Sequence, residues 1–231
     1  MSILKIPTIL YEDNHLMIVN KRISDIVQGD QTGDMSMDRM LKAFIKERDN
    51  KPGDVFLGIP HRLDRPVSGA VVFAKTSKAL SRMAKMFKDK EVEKVYHAIV
   101  ANCPDPDSGI LEHHLTRNTK QNKSYAHLRE VPGSKLARLS YSTIGAIDRY
   151  FLLEILLETG RHHQIRAQLA QVGSPIKGDR KYGAGRTNQN GGISLHARQI
   201  AFIHPVKKER IEVKAPYPKM DLYPLFFKSK G

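Results

Sequence analysis

The 231-residue chain carries 38 Lys and Arg against 24 Asp and Glu, a formal net charge of +14, and an excess of that sign suits a polyanionic partner, either nucleic acid or an anionic membrane surface. Its one cysteine, Cys103, excludes an internal disulfide, a CxxC metal site and an iron–sulfur cluster. No apolar run approaches the roughly 20 residues that span a bilayer, and the N-terminus has no signal-peptide hydrophobic stretch, so a folded, basic, cytoplasmic protein without a membrane partner is expected.

In chain order, residues 8–12 and 16–21 read as a hairpin around the turn residues Asp13, Asn14 and His15. Residues 24–35, with Gly29 and Gly33, read as a loop. Ser36 is placed to cap a helix running to about Arg48, with Met40, Leu41, Phe44 and Ile45 on one face. Residues 69–75 have the composition of a buried strand, and Thr76 or Ser77 caps a helix to about Asp89. Leu80, Met83, Ala84 and Phe87 fall on its inner face; Lys78, Arg82, Lys85 and Lys88 form an outer face that is either solvated or in contact with phosphate. Strands are expected at 95–101, at several places within 111–147 (124–129 and 136–144 among them) and at 150–157. A helix over 161–172 would bury Ile165, Leu169 and Val172. Residues 183–193, with four glycines and no periodicity, read as a mobile loop before closing strands at 194–203 and 210–215. No repeat or linker divides the chain, so one domain over 1–231 is expected. Strands outnumber helices and mostly follow one another, which points to an α+β fold around a largely antiparallel sheet.

Two segments concentrate chemistry. In His61-Arg62-Leu63-Asp64-Arg65 a carboxylate stands between two guanidinium groups, whose charge favours its ionised form as a nucleophile or base; the same cluster could equally be a structural ion pair. In Thr159-Gly160-Arg161-His162-His163-Gln164-Ile165-Arg166, donors gather beside a helix N-terminus, which suits an anion, although a basic amphipathic surface helix has the same pattern. The adjacent pairs His113-His114 and His162-His163 point apart on either a strand or a helix, and HExxH and Cys/His quartets are missing, so no metal is expected. GxxxxGK[ST], a GxGxxG opening a helix, and GxSxG are also missing, and no cofactor is implied.

Taken together, several stretches resemble the RluA-type family of RNA pseudouridine synthases. They are ILYEDNHLMIVNK at 9–21, HRLDRPVSGAVVFAKT at 61–76, KVYHAIV at 94–100, ETGRHHQIRAQLAQVGSPIKGDRKYG at 158–183, LHARQIAFIHP at 195–205 and APYP at 215–218. The resemblance implies the family's α+β catalytic fold, a largely antiparallel mixed sheet with flanking helices and a central basic cleft. It makes Asp64 the catalytic aspartate, Tyr96 the active-site tyrosine that stacks near the uracil and helps remove the proton from its carbon 5, and Arg166 the arginine that pairs with the aspartate. It places His61, Arg62, Arg65, Arg161, His163, Gln164 and Ile165 around the substrate.

The implied reaction isomerises a uridine within ribosomal or transfer RNA and needs no cofactor. The glycosidic bond to nitrogen breaks, the uracil turns while enclosed, and carbon 5 rejoins the sugar, after the base has been flipped from its stack. Arg22 and Ile23 depart from the Pro and small residue usual after the Asn-Lys of the first stretch, Val67 stands where Thr is frequent, and His162 replaces a usual Thr. The chain starts at the catalytic hairpin, so no N-terminal accessory RNA-binding domain is expected. A monomer would then hold RNA through its own basic surface, with binding that weakens steeply as salt rises. Two alternatives are an inactive RNA-binding protein of the same fold and an RNA hydrolase using His162 and His163 as acid and base.

Overall fold

The computed structural model describes residues 6–29 and 33–227, so part of the expected 24–35 loop, residues 30–32, lies outside the described residues. The chain forms two compact units, each assembled from two separate stretches: residues 1–92 with 199–216, and residues 93–198 with 217–231.

The first unit opens with strands β1 (Thr8–Glu12) and β2 (Leu16–Lys21) at the expected bounds. Asp13 closes the turn by accepting the backbone N–H groups of His15 and Leu16, both at 2.8 Å. Helix α1 (Met37–Arg48) follows, burying Met37, Leu41 and Ile45. Strand β3 (Ser68–Ala74) is buried at every residue and pairs antiparallel with β2, Val19 opposite Val71. Thr76 caps helix α2 (Ser77–Lys88) by accepting the Ala79 N–H at 3.1 Å. The buried stripe of α2 is Ala79, Met83 and Met86; the expected stripe is turned, with Leu80 and Phe87 at its margin and Ala84 exposed. Gly58, in the segment before the Asp64 turn, pairs with Ala74, and a Cβ there would lie 2.7 Å from Leu80 Cδ2, so a larger residue would make the Leu80 side chain shift. The outer face of α2 is partly spoken for: Arg82 donates to the Pro205 carbonyl, and Lys85 pairs with Asp89. Strand β10 (Arg210–Lys214), antiparallel to the end of β9 (Leu195–Ile203), completes the layer. Ile200, Phe202, Ile211 and Val213 join Leu16, Ile18, Val72 and Met83 in one apolar cluster.

The second unit is built on long antiparallel strands: β4 (Glu93–Val100), β5 (Ser108–Asn118), β6 (Lys123–His127), β7 (Lys135–Ile147) and β8 (Tyr150–Leu157). Their lateral order is β4-β8-β7-β5-β6. The short strands expected within 111–147 are therefore two long strands and one short one. Thr143 and Gly145 mark a bulge in β7, and Phe226 of the short helix α4 (Tyr223–Phe226) packs where a Gly145 side chain would stand. Helix α3 is shorter than expected, Gln164–Gln171, because His163 takes a left-handed backbone (φ 53) and so cannot continue a helix toward Arg161. Residues Gln164 to Leu169 are all buried. The Gln168 side-chain nitrogen donates to the carbonyls of Leu111 (3.0 Å) and Ala137 (3.2 Å), which ties α3 to β5 and β7. A 3₁₀ turn, Arg180–Tyr182, precedes the 183–193 loop.

Candidate active site

In the first unit, Asp64 begins a turn closed by the Val67 N–H donating to its carbonyl at 3.0 Å, and the residue is half-buried. Lys21, only 1% exposed at the end of β2, fastens this turn from below. Its ammonium donates to the carbonyls of Arg22 (3.0 Å), Arg65 (3.0 Å) and Val67 (2.7 Å), one acceptor for each N–H. Burial pulls its pKa down to about 7, against the opposing charges of Asp25 and Asp64. Arg22, the next residue, holds Asp25 through two hydrogen bonds of 2.9 and 3.1 Å. The guanidinium groups that flank Asp64 in sequence reach outward: Arg62 bonds Gln28 at 3.3 Å, and Arg65 pairs with Asp34 at 2.7 Å. His61 accepts the Val72 N–H at 2.9 Å and stacks on Phe87 at 4.4 Å, so it braces β3 against α2.

In the second unit, Tyr96 is buried on β4 opposite Ile155. The alternation of the strand puts His97 on the other face. There His97 bonds the Tyr217 hydroxyl at 2.7 Å through Nδ1 and Glu154 at 3.2 Å through Nε2, and burial holds its pKa below the ordinary histidine value. Tyr217 belongs to the APYP stretch and stacks on Tyr223 at 4.8 Å.

Arg166, on α3, is buried and grips Asp179 with two hydrogen bonds, Nε to Oδ2 at 2.7 Å and Nη2 to Oδ1 at 2.9 Å. Its guanidinium also stands 5.0 Å from the centre of the Tyr182 ring. The Tyr182 hydroxyl accepts the Ser124 N–H at 2.8 Å and shares a hydrogen bond with His163 Nδ1 at 2.9 Å. Burial, reinforced by the Arg166 charge, pushes His163 down to about 2. His162 stacks on His163 and bonds Ser124 and Asn122, which anchors the tip of the β5–β6 hairpin.

Gln164 works as a clip: its side-chain oxygen accepts from Thr159 (2.8 Å) and the Arg161 N–H (3.0 Å), and its nitrogen donates to the Arg138 carbonyl. Arg161 is exposed and donates to the Leu136 carbonyl, while Ile165 is interior at 4% exposure.

Asp179, Tyr182 and Lys21 were not singled out by the sequence reading. Composition marks two of them without naming their contacts: Asp179 is a lone carboxylate beside a glycine in the basic GDRKYG stretch, and Lys21 ends the largely apolar run LMIVNK. Among the described residues no group of three or more His, Cys, Asp or Glu side chains could hold a metal, and no helix is long and apolar enough to cross a membrane.

A family profile described as RNA pseudouridylate synthase matches residues 15–171, a span that contains both chemistry-bearing segments. An uncharacterized RNA pseudouridine synthase of Synechocystis is 35% identical over 213 residues, covering 91% of this chain and 65% of its own length. One from Bacillus subtilis is 32% identical, covering 91% and 69%. The ribosomal large subunit pseudouridine synthase C of Vibrio cholerae is 31% identical, covering 90% and 65%. The chain thus spans about two thirds of the length of these relatives. Among solved structures, human RNA pseudouridylate synthase domain containing 4 shares the fold with a TM-score of 0.79 at 22% identity, covering 94% of this chain and 91% of that one. By the profile match and by these relatives, the chain belongs to the RNA pseudouridine synthase family, of RluA type.

Proposed function

We propose that this protein isomerises uridine to pseudouridine within structured RNA, ribosomal or transfer. The observation that carries the reading is the profile match over 15–171, a span that includes Asp64, Tyr96 and Arg166. Asp64 supplies the carboxylate that drives cleavage of the glycosidic bond. Tyr96 packs against the freed uracil, and Arg166 supplies a fixed positive charge. The step balances within the substrate: the bond from the sugar to nitrogen 1 breaks, a bond to carbon 5 forms, the carbon 5 proton leaves and nitrogen 1 gains one. Burial of Tyr96 and Arg166 supports a reaction on a base removed from its stack, at an unstacking cost of a few kcal/mol. The hydrolase alternative is disfavoured because His163 stays neutral and bonded to Tyr182, so it supplies no acid near neutral pH.

The test is release of tritium from RNA labelled at uridine carbon 5. The wild-type protein is expected to release it without shortening the RNA, and Asp64→Asn to release none. Full turnover by Asp64→Asn would remove the assignment, and chain cleavage would favour a hydrolase. Mapping pseudouridines in total RNA with and without the gene then separates ribosomal from transfer RNA.

A further inference from the structure

The segment that carries Asp179 has a second side. Asp179 turns inward to Arg166, while its neighbours Lys177 and Gly178 line a cavity of about 830 Å³ in the second unit. Four cationic side chains border that cavity, Arg149, Lys177, Arg186 and Lys219, against one carboxylate among its described residues, Asp221. Asp221 is already engaged. Its side chain is 1% exposed, accepts from Ser194 Oγ at 2.9 Å and from the Leu222 N–H at 2.8 Å, and stands 3.6 Å from Lys177. Arg149, Arg186 and Lys219 are exposed around the mouth, so the trough presents an uncompensated positive rim.

The loop over the cavity is fastened in place. Lys177 donates to Asn188 at 2.7 Å, Asn188 donates to Ser194 at 3.0 Å, and Asn190 donates to the Met220 carbonyl at 3.2 Å. At Gly178 (φ +89) a Cβ would stand 2.7 Å from the Asn188 amide, so the close approach depends on glycine. On the wall, the Tyr150 ring lies 5.4 Å from the Arg149 guanidinium and 5.9 Å from the Lys177 ammonium. A small metabolite is usually held in a pocket that encloses most of its surface, by a few convergent polar groups. Here the cations are spread around an open rim, an arrangement that matches successive phosphates on a chain, for which arginine provides forked donors.

We infer that this trough binds the phosphate backbone of an RNA strand and serves as a docking site for substrate RNA away from the uridine that reacts. The inference rests on the proposed function for naming that RNA as the substrate. The experiment compares wild type with Arg149→Glu/Lys219→Glu, two exposed positions far apart in sequence, and with Lys46→Glu/Lys51→Glu, which makes the same charge change at exposed positions in the first unit. Binding of a fluorescent stem–loop RNA is measured across a salt series, and tritium release is followed in parallel. The trough variant is expected to bind about tenfold more weakly, with a slope of log affinity against log salt smaller by roughly 1.4 to 1.8, as for two lost phosphate contacts. Its KM rises while kcat stays within about twofold, and its melting temperature is unchanged. A trough variant that matches the Lys46/Lys51 control in affinity and slope overturns the inference. So does inorganic phosphate that binds wild type but not the trough variant and is not displaced by RNA. Should wild type bind RNA yet release no tritium, the catalytic reading fails, and the salt series still decides the trough.

Discussion

Arg166 and Asp179 form a buried, two-bonded ion pair across thirteen residues of sequence, with Asp179 only 1% exposed. Arg166 is the residue proposed to supply positive charge to the reaction, so Asp179 sets the direction in which that charge points. A guanidinium freed to rotate loses alignment with the reacting atoms, which is a transition-state cost. Asp179→Asn is expected to lower kcat for tritium release by about tenfold to a hundredfold, about 1.4 to 2.8 kcal/mol, with KM little changed. Asp179→Glu should recover part of the loss. A variant with equal losses in kcat and melting temperature, unrescued by Glu, would reduce Asp179 to a structural role.

His163 predicts an acid limb in stability. Its folded pKa is lowered to about 2 by burial and by Arg166, from 6.5 in the unfolded chain. Between these values the unfolded chain takes up a proton that the folded one refuses, so stability is present above pH 6.5 and is lost as pH falls toward 2. The slope is on the order of 1 kcal/mol per pH unit. His97, His113 and His204 are lowered in the same direction, so they add to the limb. His163→Asn keeps a residue that tolerates the left-handed backbone and should flatten the limb in part. Urea melts at pH 7 and pH 5 measure it: the gap between the two pH values should narrow in the variant.

Lys21 makes the opposite end of the pH range informative. Its folded pKa of about 7 lies below the unfolded value of 10.5, so the unfolded chain holds more protons between them and stability rises with pH through that window. Lys21→Met removes this rise. It also leaves the carbonyls of Arg22, Arg65 and Val67 without their ammonium donor, at an expected net cost of roughly 2–4 kcal/mol at pH 7. Because two of those carbonyls belong to the turn that Asp64 begins, turnover measured well below the melting temperature should fall as well. Unaltered turnover would separate Lys21 from the alignment of Asp64.

Gly178→Ala tests the fastening of the 183–193 loop. A methyl group would displace the Asn188 amide from 2.7 Å while straining a backbone at φ +89. The expected loss is about 1–3 kcal/mol, read as a lower melting temperature. Earlier protease cleavage within 183–193 should accompany it.

Much of the scaffold was legible because periodicity and turn chemistry are local. The Asp13 turn, β2 and β8 could be read to the residue, and the α2 cap was narrowed to Thr76 or Ser77, of which Thr76 is the one. The start of α3 was not legible: a histidine with a left-handed backbone carries no sequence signal, and the buried Gln164 and Gln168 satisfy carbonyls brought near only by folding. The inner stripe of α2 was misread because Ala84 and Met86 cannot be ranked by period alone when both fit an apolar face. Of the candidate site, the resemblance named Asp64, Tyr96 and Arg166, but the partners that hold Arg166 and the Asp64 turn come from other segments. Nothing in the spacing of Asp179, Tyr182 or Lys21 announces those contacts.

The interleaving of the two units has a consequence during synthesis. The first unit needs residues 199–216 to join residues 1–92, because β3 has β9 as its neighbour and Ile200 and Phe202 complete its apolar cluster. A ribosome making roughly 5–20 residues per second therefore leaves the wholly buried strand β3 with an open edge for on the order of ten seconds while the second unit is being made. An open apolar edge is a template for wrong pairing. The nascent chain thus passes through a sticky intermediate, in which residues 1–92 wait for the distant stretch 199–216 that completes their unit.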